Sequence, residues 1–98
     1  MTLVAITHAP DGIGQMVPTE TTRDIFCRAR NVSFNEWAQA GQMGMQPRWK
    51  MDVFAADYTG EQEAIYKGVR YTIYRTYQPS DDGLELYLEE RTGDGSQD

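Results

Sequence analysis

The sequence predicts a mainly β fold of about six short antiparallel strands, with one short α-helix and a loop inserted between two of them. Several runs in which apolar and polar residues alternate predict half-buried strands. One stretch near the middle, residues 33–41, carries the start and stop signals of a helix instead. With 98 residues the chain is the size of one domain. This many strands in so short a chain favour a small barrel or a sandwich.

The clearest alternation lies towards the end of the chain. In residues 84–89 three leucines occupy one face of a strand, and Glu85, Tyr87 and Glu89 occupy the other. Turn residues precede this run, and the segment before the turn is rich in β-branched and aromatic residues. These signals predict an antiparallel meander over residues 63–91, with strands at 63–66, 69–77 and 84–89 joined by Lys67-Gly68 and by residues 80–83.

Three more strands are predicted before this meander, at residues 3–7, 25–30 and 49–55. In the middle one, Ile25, Cys27 and Ala29 take the core face. Residues 9–14 contain proline and glycine and predict a loop. Residues 1–91 are therefore expected to form a single domain, and the polar residues 92–98 an acidic, flexible tail.

The helix prediction depends on capping residues. Ser33 is placed to be the N-cap, and Glu36 three residues later completes a capping box. Gly41 is expected to end the helix in the left-handed conformation. A loop that contains glycine and methionine, at residues 42–47, then leads to the next strand.

The residue types that catalysis and metal binding need are scarce. His8 is the only histidine and Cys27 the only cysteine, which excludes an internal disulfide and a cysteine-based zinc site. His8 beside a loop is expected to be a surface residue, and Cys27 a structural residue on the core face. The sequence therefore predicts no enzyme, no cofactor and no metal.

The net charge of −6 argues against a nucleic-acid-binding protein. Affinity for phosphates comes mainly from Lys and Arg, so an acidic chain is unsuited to gripping DNA. No segment approaches the roughly 20 apolar residues that a membrane-spanning helix needs, and the first residues do not resemble a signal peptide. We expect a protein that is made and used in a cytoplasm, without membrane contact.

All six tyrosines lie in the second half of the chain, between Tyr58 and Tyr87. Tyr66, Tyr74 and Tyr87 are expected to face outward and are candidates for a protein interface, because tyrosine buries area while keeping a hydrogen bond. The alternative is cross-strand pairing of these rings within one subunit.

The order of features along residues 20–93 resembles the phage head–tail connector family of head-closure, or stopper, proteins. The residues that carry the resemblance are Phe26-Cys27-Arg28-Ala29-Arg30-Asn31-Val32-Ser33, Glu36-Trp37, residues 39–47, residues 57–61, residues 66–71, residues 73–77 and residues 85–90. No single motif among them is specific to this family. Their ordered combination, in a chain of this length, is fairly specific.

The resemblance implies a small β-barrel and a structural role in the virion, with assembly in the host cytoplasm. It implies a homo-oligomeric ring, usually dodecameric, with the portal or adaptor ring above and a tail-completion or tail-tube protein below. It also implies a segment between two strands that closes the channel and retains packaged DNA, which otherwise passes without specific binding. By position that segment is 33–47, with the candidate residues Ser33, Glu36, Trp37, Gly41, Met43, Gly44, Met45 and Pro47.

Two other readings stay open at the level of sequence. In the first alternative, the chain is another connector component, such as an adaptor or tail-completion protein. In the second, it is a small β-barrel module that binds a protein through its tyrosines. Adaptors are mainly helical, whereas a binding module would stay monomeric, so helix content and oligomeric state separate these possibilities.

Overall fold

The computed structural model describes residues 1–10 and 12–90. Within them it contains seven β-strands, one α-helix and a 3-10 turn. In chain order these are β1 (Thr2–Pro10), β2 (Met16–Asp24), β3 (Arg28–Asn31), α1 (Phe34–Gln42), β4 (Pro47–Phe54), the 3-10 turn (Ala55–Asp57), β5 (Glu63–Tyr66), β6 (Val69–Tyr77) and β7 (Gly83–Glu90). The tail predicted at residues 92–98 lies outside the described residues.

All seven strands belong to one antiparallel sheet with the order β2-β1-β5-β6-β7-β4-β3. The predicted mainly β fold with one inserted helix is confirmed. The outermost strands β2 and β3 do not pair with each other, so the sheet is not closed and "barrel" describes it only approximately. The sequence also predicted one strand too few.

The sheet nevertheless curls around one apolar core. Leu3, Met51, Leu86 and Leu88 are fully buried, although Leu3 lies on β1 and Met51 on β4, far apart in the strand order. The Trp49 ring on β4 packs edge-on against Tyr66 of β5, with the ring centroids 5.5 Å apart. Strands separated by two others touch in this way only if the sheet bends over itself.

The predicted meander is confirmed as β5-β6-β7. Lys67 and Gly68 both have positive φ, 51° and 80°, the backbone of a two-residue hairpin turn whose twist matches its strands. The register shifts between Ile73 and Arg75, and this bulge places Arg75 opposite Tyr87 on the outer face.

Strand β2 was missed by the sequence prediction, and the predicted loop at residues 9–14 is correspondingly too long. Ala9 and Pro10 still belong to β1, which pairs with β2 along its whole length. Strand β1 pairs with β5 only from Thr2 to Val4. Residues 5–10 and 12–21 therefore project from the sheet as a two-stranded hairpin, which we call the arm.

Strand β3 is shorter than predicted. Ile25 and Cys27 pack against the core as expected, but they precede the strand and belong to a connection from β2. Phe26 between them is 84% exposed. This three-residue connection crosses from one edge of the sheet to the other.

The helix begins as the sequence predicts and ends later. The Ser33 hydroxyl accepts a hydrogen bond from the Glu36 amide, and the Glu36 carboxylate accepts one from the Ser33 amide. The expectation that Gly41 ends the helix is wrong, because the helix continues to Gln42 with Met43 as its C-cap. Gly44, with φ +82°, is the left-handed residue that turns the chain away.

Candidate functional site

Helix α1 lies on the outer face of β4 and β7 and is anchored there by one carboxylate. The two oxygens of Glu36 accept hydrogen bonds from Nζ of Lys50 at 2.9 and 3.0 Å. The Tyr87 hydroxyl donates to Glu36 Oε2 at 3.1 Å. Lys50 and Tyr87 are directly opposed across the two strands and alternate with core residues, so the period of two in each strand turns both towards the helix.

Under the helix lies a wider group of charged side chains, the outer-face cluster, formed by Arg30, Glu36, Lys50, Asp52, Glu85 and Tyr87. Arg30 Nη2 contacts Asp52 Oδ1 at 2.7 Å and Glu85 Oε2 at 2.9 Å. The Tyr87 hydroxyl also lies 2.9 Å from Glu85 Oε1. The cluster holds two cations and three anions on strands β3, β4 and β7 and on the helix, and it ties these elements into one polar network.

The cluster fixes the protonation of Glu36 and Tyr87. Burial alone would raise the pKa of Glu36, but hydrogen bonds from Lys50, Ser33 and Tyr87 outweigh it and lower that pKa from 4.5 to about 2. Burial, followed by the effects of the Glu85 and Glu36 carboxylates, raises the pKa of the Tyr87 hydroxyl. Glu36 is therefore an anion and Tyr87 a neutral donor throughout the physiological range.

Apolar packing contributes little to the attachment of the helix. Ala40 is its only buried residue. On the solvent side, Phe34 and Trp37 are 76% and 54% exposed and stack with ring centroids 6.1 Å apart. Met43 after the last turn is 76% exposed. The helix is thus held by polar contacts and presents apolar side chains outward, the reverse of an ordinary surface helix.

A cleft of about 260 Å³ separates the helix from the sheet. Its lining combines charged, aromatic and flexible apolar side chains, namely Glu36, Gln39, Ala40, Met43, Met45, Tyr74, Arg75 and Tyr87. Arg75 lies over the Tyr87 ring, 4.8 Å from its centroid. Methionine adapts its shape to different neighbours, so Met43 and Met45 are the adaptable part of this lining.

The residues predicted for channel closure form one continuous segment of the structure. Ser33, Glu36, Trp37 and Gly41 belong to the helix and its cap, and Met43, Gly44 and Met45 to the connection that follows. Pro47 is buried and already begins β4. The segment therefore ends at a fixed point of the sheet.

Of the tyrosines predicted to face outward, Tyr87 does lie on the outer face but is buried, and Tyr66 packs against the core. Tyr87 is 3% exposed, because the helix covers its face. Tyr66 packs against Trp49 and the core. Tyr74 is half-buried and meets Tyr87 edge-on, with centroids 6.2 Å apart. These rings pair within the subunit, which was the alternative interpretation.

A second polar site, which the sequence did not reveal, fixes the base of the arm. The Glu61 carboxylate, 7% exposed, accepts from Arg23 Nη2 at 2.8 Å and from the Thr59 amide at 3.0 Å. Arg23 also donates to the Asp57 carbonyl at 2.6 Å. Burial opposes ionisation of Glu61, yet these hydrogen bonds lower its pKa to about 2. The sequence analysis did not predict this contact, because Arg23 lies on strand β2, which it missed.

The structure does not bring His8 and Cys27 together. His8 is exposed on the arm, and Cys27 is a partly buried free thiol near the other end of the β1–β2 hairpin. Across residues 1–10 and 12–90, no group of three or more His, Cys, Asp or Glu side chains is arranged to hold a metal ion. In the same part of the chain, no helix has the length and apolarity needed to cross a membrane.

Comparison with known proteins gives no relative for this chain, since no family model, curated protein or solved structure matches it.

Proposed function

We propose that this chain is a structural subunit of a phage head–tail connector, a head-closure protein that forms a ring and closes the DNA channel with residues 33–47. The observation that supports this role most directly is the mainly polar attachment of an outwardly apolar helix to a curled sheet. The assignment to a phage connector comes from the order of sequence features along residues 20–93, which resembles that of head-closure proteins. The proposed role is structural and requires no catalytic group or cofactor.

A channel gate needs an element with two available positions. A helix of nine residues is marginal in isolation and depends on its surroundings. Here those surroundings are mainly the Glu36 contacts, which the helix can exchange for apolar contacts of Phe34 and Trp37 with neighbouring subunits. Gly44 gives the connection the backbone freedom for this change.

The proposed partners follow from the same setting. Other copies of the chain form the ring, usually dodecameric in this family, with the portal or adaptor ring above and a tail-completion or tail-tube protein below. The net charge of −6 suits a channel that DNA passes through without adhering, since like charges repel. We place the protein in the virion, after assembly in the host cytoplasm.

Genetic removal tests the proposal. Phage lacking this gene should produce DNA-filled heads that leak their DNA and carry no tails, as seen by electron microscopy and nuclease sensitivity. Complementation with the intact chain should restore infectious particles. Complementation with a chain in which residues 34–45 are replaced by a Gly-Ser linker should still fail to retain DNA.

A matched control changes an exposed turn that belongs to neither the helix nor the arm. Lys67→Asn in the β5–β6 hairpin keeps a residue that tolerates the positive φ of 51° and leaves residues 33–47 unchanged, so DNA retention should persist. Stable DNA retention in the gene deletion, or full rescue by the linker variant, contradicts the closure role.

The alternative of a protein-binding module draws support from one feature, the stacked and exposed Phe34 and Trp37 rings. A module of this kind binds its partner as a monomer and is dispensable for DNA retention. The deletion phenotype therefore separates it from the connector role. An adaptor role fits less well, because the described residues contain one short helix in a sheet protein.

A further inference from the structure

We infer that the arm is hinged at its base and is locked in one orientation by the ion pair between Arg70 and Glu20, which salt opens. A second ion pair, between Arg23 and Glu61, stays closed and forms the fixed side of the hinge. We call these the outer and the inner ion pair. The inference concerns the arm and goes beyond the proposed closure role, which depends on residues 33–47.

The backbone provides a hinge where β1 leaves the sheet. Strand β1 pairs with β5 only from Thr2 to Val4, whereas its pairing with β2 continues to Pro10. Among the described residues, β1 beyond Val4 has no strand partner except β2. Hinges use a few residues at the end of an element. Side-chain contacts at the base must therefore fix the direction of the arm.

The inner ion pair lies behind this hinge, on the core-facing side of the hairpin. Arg23 is directly opposite Leu3, which is fully buried, so both side chains lie on the same face. Arg23 Nη2 contacts Glu61 Oε2 at 2.8 Å. The amide and the hydroxyl of Thr59 also donate to the Glu61 carboxylate, each at 3.0 Å. This carboxylate is thus held by three donors from two parts of the chain.

The outer ion pair lies beyond the hinge, on the opposite face. Glu20 is opposite Ile6, two positions past Val4. Arg70 Nη2 contacts Glu20 Oε2 at 2.6 Å, and Arg70 Nε contacts Glu63 Oε1 at 2.6 Å. Glu63 is the residue of β5 that pairs with Val4. Arg70 therefore fastens the arm to the sheet just past the point where backbone pairing ends.

The locked orientation also shields an apolar side chain at the hinge. Val4 alternates with Leu3 along β1, so it faces away from the core, and it is nevertheless only 1% exposed. Thr22 and Glu63 flank it in register on the two neighbouring strands. Exposing Val4 would cost free energy, so the locked orientation is favoured over one in which the arm swings away from this face.

Unequal burial decides which ion pair opens first. In the outer pair, the side chains of Glu20 and Arg70 are 49% and 28% exposed. In the inner pair Arg23 is 43% exposed, but Glu61 only 6%. Salt screens exposed charges most strongly, and it shortens the Debye length from about 10 Å at 0.1 M to about 3 Å at 1 M. Added salt should therefore open the outer pair while the inner pair holds, so that the arm swings without detaching.

Distances between two spin labels test this hinge. One label is placed on the arm as Val17→Cys and the other on β6 as Thr76→Cys, both at exposed positions. Cys27→Ala removes the only native thiol. At about 0.05 M salt, double electron–electron resonance should give one narrow distance distribution. At about 1 M salt, where the outer pair is screened, its width should increase about twofold or more.

Two variants of the labelled chain define the result. Glu20→Gln should give the broad distribution already at low salt and should abolish the response to salt. Glu90→Gln is the matched control, because its side chain is also 49% exposed and also pairs with an arginine. It should keep the narrow distribution at low salt and the response to salt. Circular dichroism verifies that each variant is folded.

Hydrogen exchange reports on the inner ion pair in the same samples. The Thr59 amide, which donates to Glu61, should stay protected at high salt. Loss of that protection would show that the whole base detaches, which overturns the hinge. A narrow distribution in Glu20→Gln, or further broadening of this variant by salt, overturns the lock. None of these outcomes bears on DNA retention, so the hinge and the closure role stand or fall separately.

Discussion

At the scale of single residues, Glu36 connects the formation of the helix to its attachment. It is the third helical residue and pairs with Ser33 in the capping box. The same carboxylate binds Lys50 and Tyr87 on the sheet. Lys50 is only 13% exposed in its side chain, so loss of this carboxylate leaves a nearly buried cation without its partner, which is costly.

Replacing Glu36 by Gln should therefore destabilise the protein by about 1–3 kcal/mol at pH 7, measured as the change in the free energy of unfolding in urea. Glu90→Gln is the matched control. Its contact with Arg48 spans 3.6 Å and both side chains are about half exposed, so the change should be close to zero. Equal effects of the two variants would contradict the anchoring role.

The same carboxylate makes stability depend on pH. The pKa of Glu36 is about 2 in the folded chain against 4.5 for the free group. Its stabilisation is therefore fully present above pH 4.5 and disappears as the pH falls towards 2. The difference in unfolding free energy between the native chain and Glu36→Gln should shrink over this interval in urea titrations. A difference that stays constant from pH 7 to pH 2.5 would show that the carboxylate charge is not responsible.

At the scale of elements, the two glycines of residues 33–47 have opposite roles. Gly41 lies inside the helix, and a Cβ there would have no heavy atom within 4 Å. Gly44 has φ +82°, a conformation that side-chain-bearing residues rarely adopt. Sequence reasoning chose the first glycine after the capped turn, because a C-terminal glycine and an internal one look alike without the backbone.

Alanine substitutions should separate the two glycines. Gly41→Ala should stabilise the protein by about 0.5–1 kcal/mol, since alanine is the better helix former. Gly44→Ala should destabilise it by about 1–2 kcal/mol through left-handed strain. Urea unfolding of both variants provides the measurement, and shifts of the same sign would contradict this account of the helix end.

Elements with local signals could be predicted from the sequence, and those without them could not. The meander and the capping box depend on residues a few positions apart, so both were predicted. Strand β2 is exposed along its whole length. Its apolar and polar residues do not alternate, so hydrophobic periodicity could not predict this strand. Tyr87 is buried by a helix that lies some fifty residues earlier in the chain. The alternation of residues within its own strand could not predict this long-range contact.

At the scale of the whole molecule, stability is unevenly distributed. The buried leucines of β7 and Met51 of β4 lie in the core, whereas the arm is exposed on both faces and pairs only with itself beyond Val4. A two-stranded hairpin without further packing is marginal in water. The arm and the core strands should therefore open independently.

Hydrogen exchange measured by mass spectrometry should show this division in the isolated chain. Amides of residues 5–9, 16, 17 and 19–21 should exchange at least a hundredfold faster than those of β7, corresponding to roughly 3 kcal/mol in opening free energy. Leu86→Ala should accelerate exchange throughout the sheet, because it removes a fully buried side chain. Uniform protection of arm and core would contradict the division.

The connection formed by Ile25, Phe26 and Cys27 limits how the molecule can deform. It tethers the two free edges of the sheet, and four virtual bonds of about 3.8 Å restrict the distance between Asp24 and Arg28 to about 15 Å. The sheet therefore cannot unroll while the chain is intact. Force applied to the protein must instead be absorbed by parts outside this tether, such as the arm and the helix.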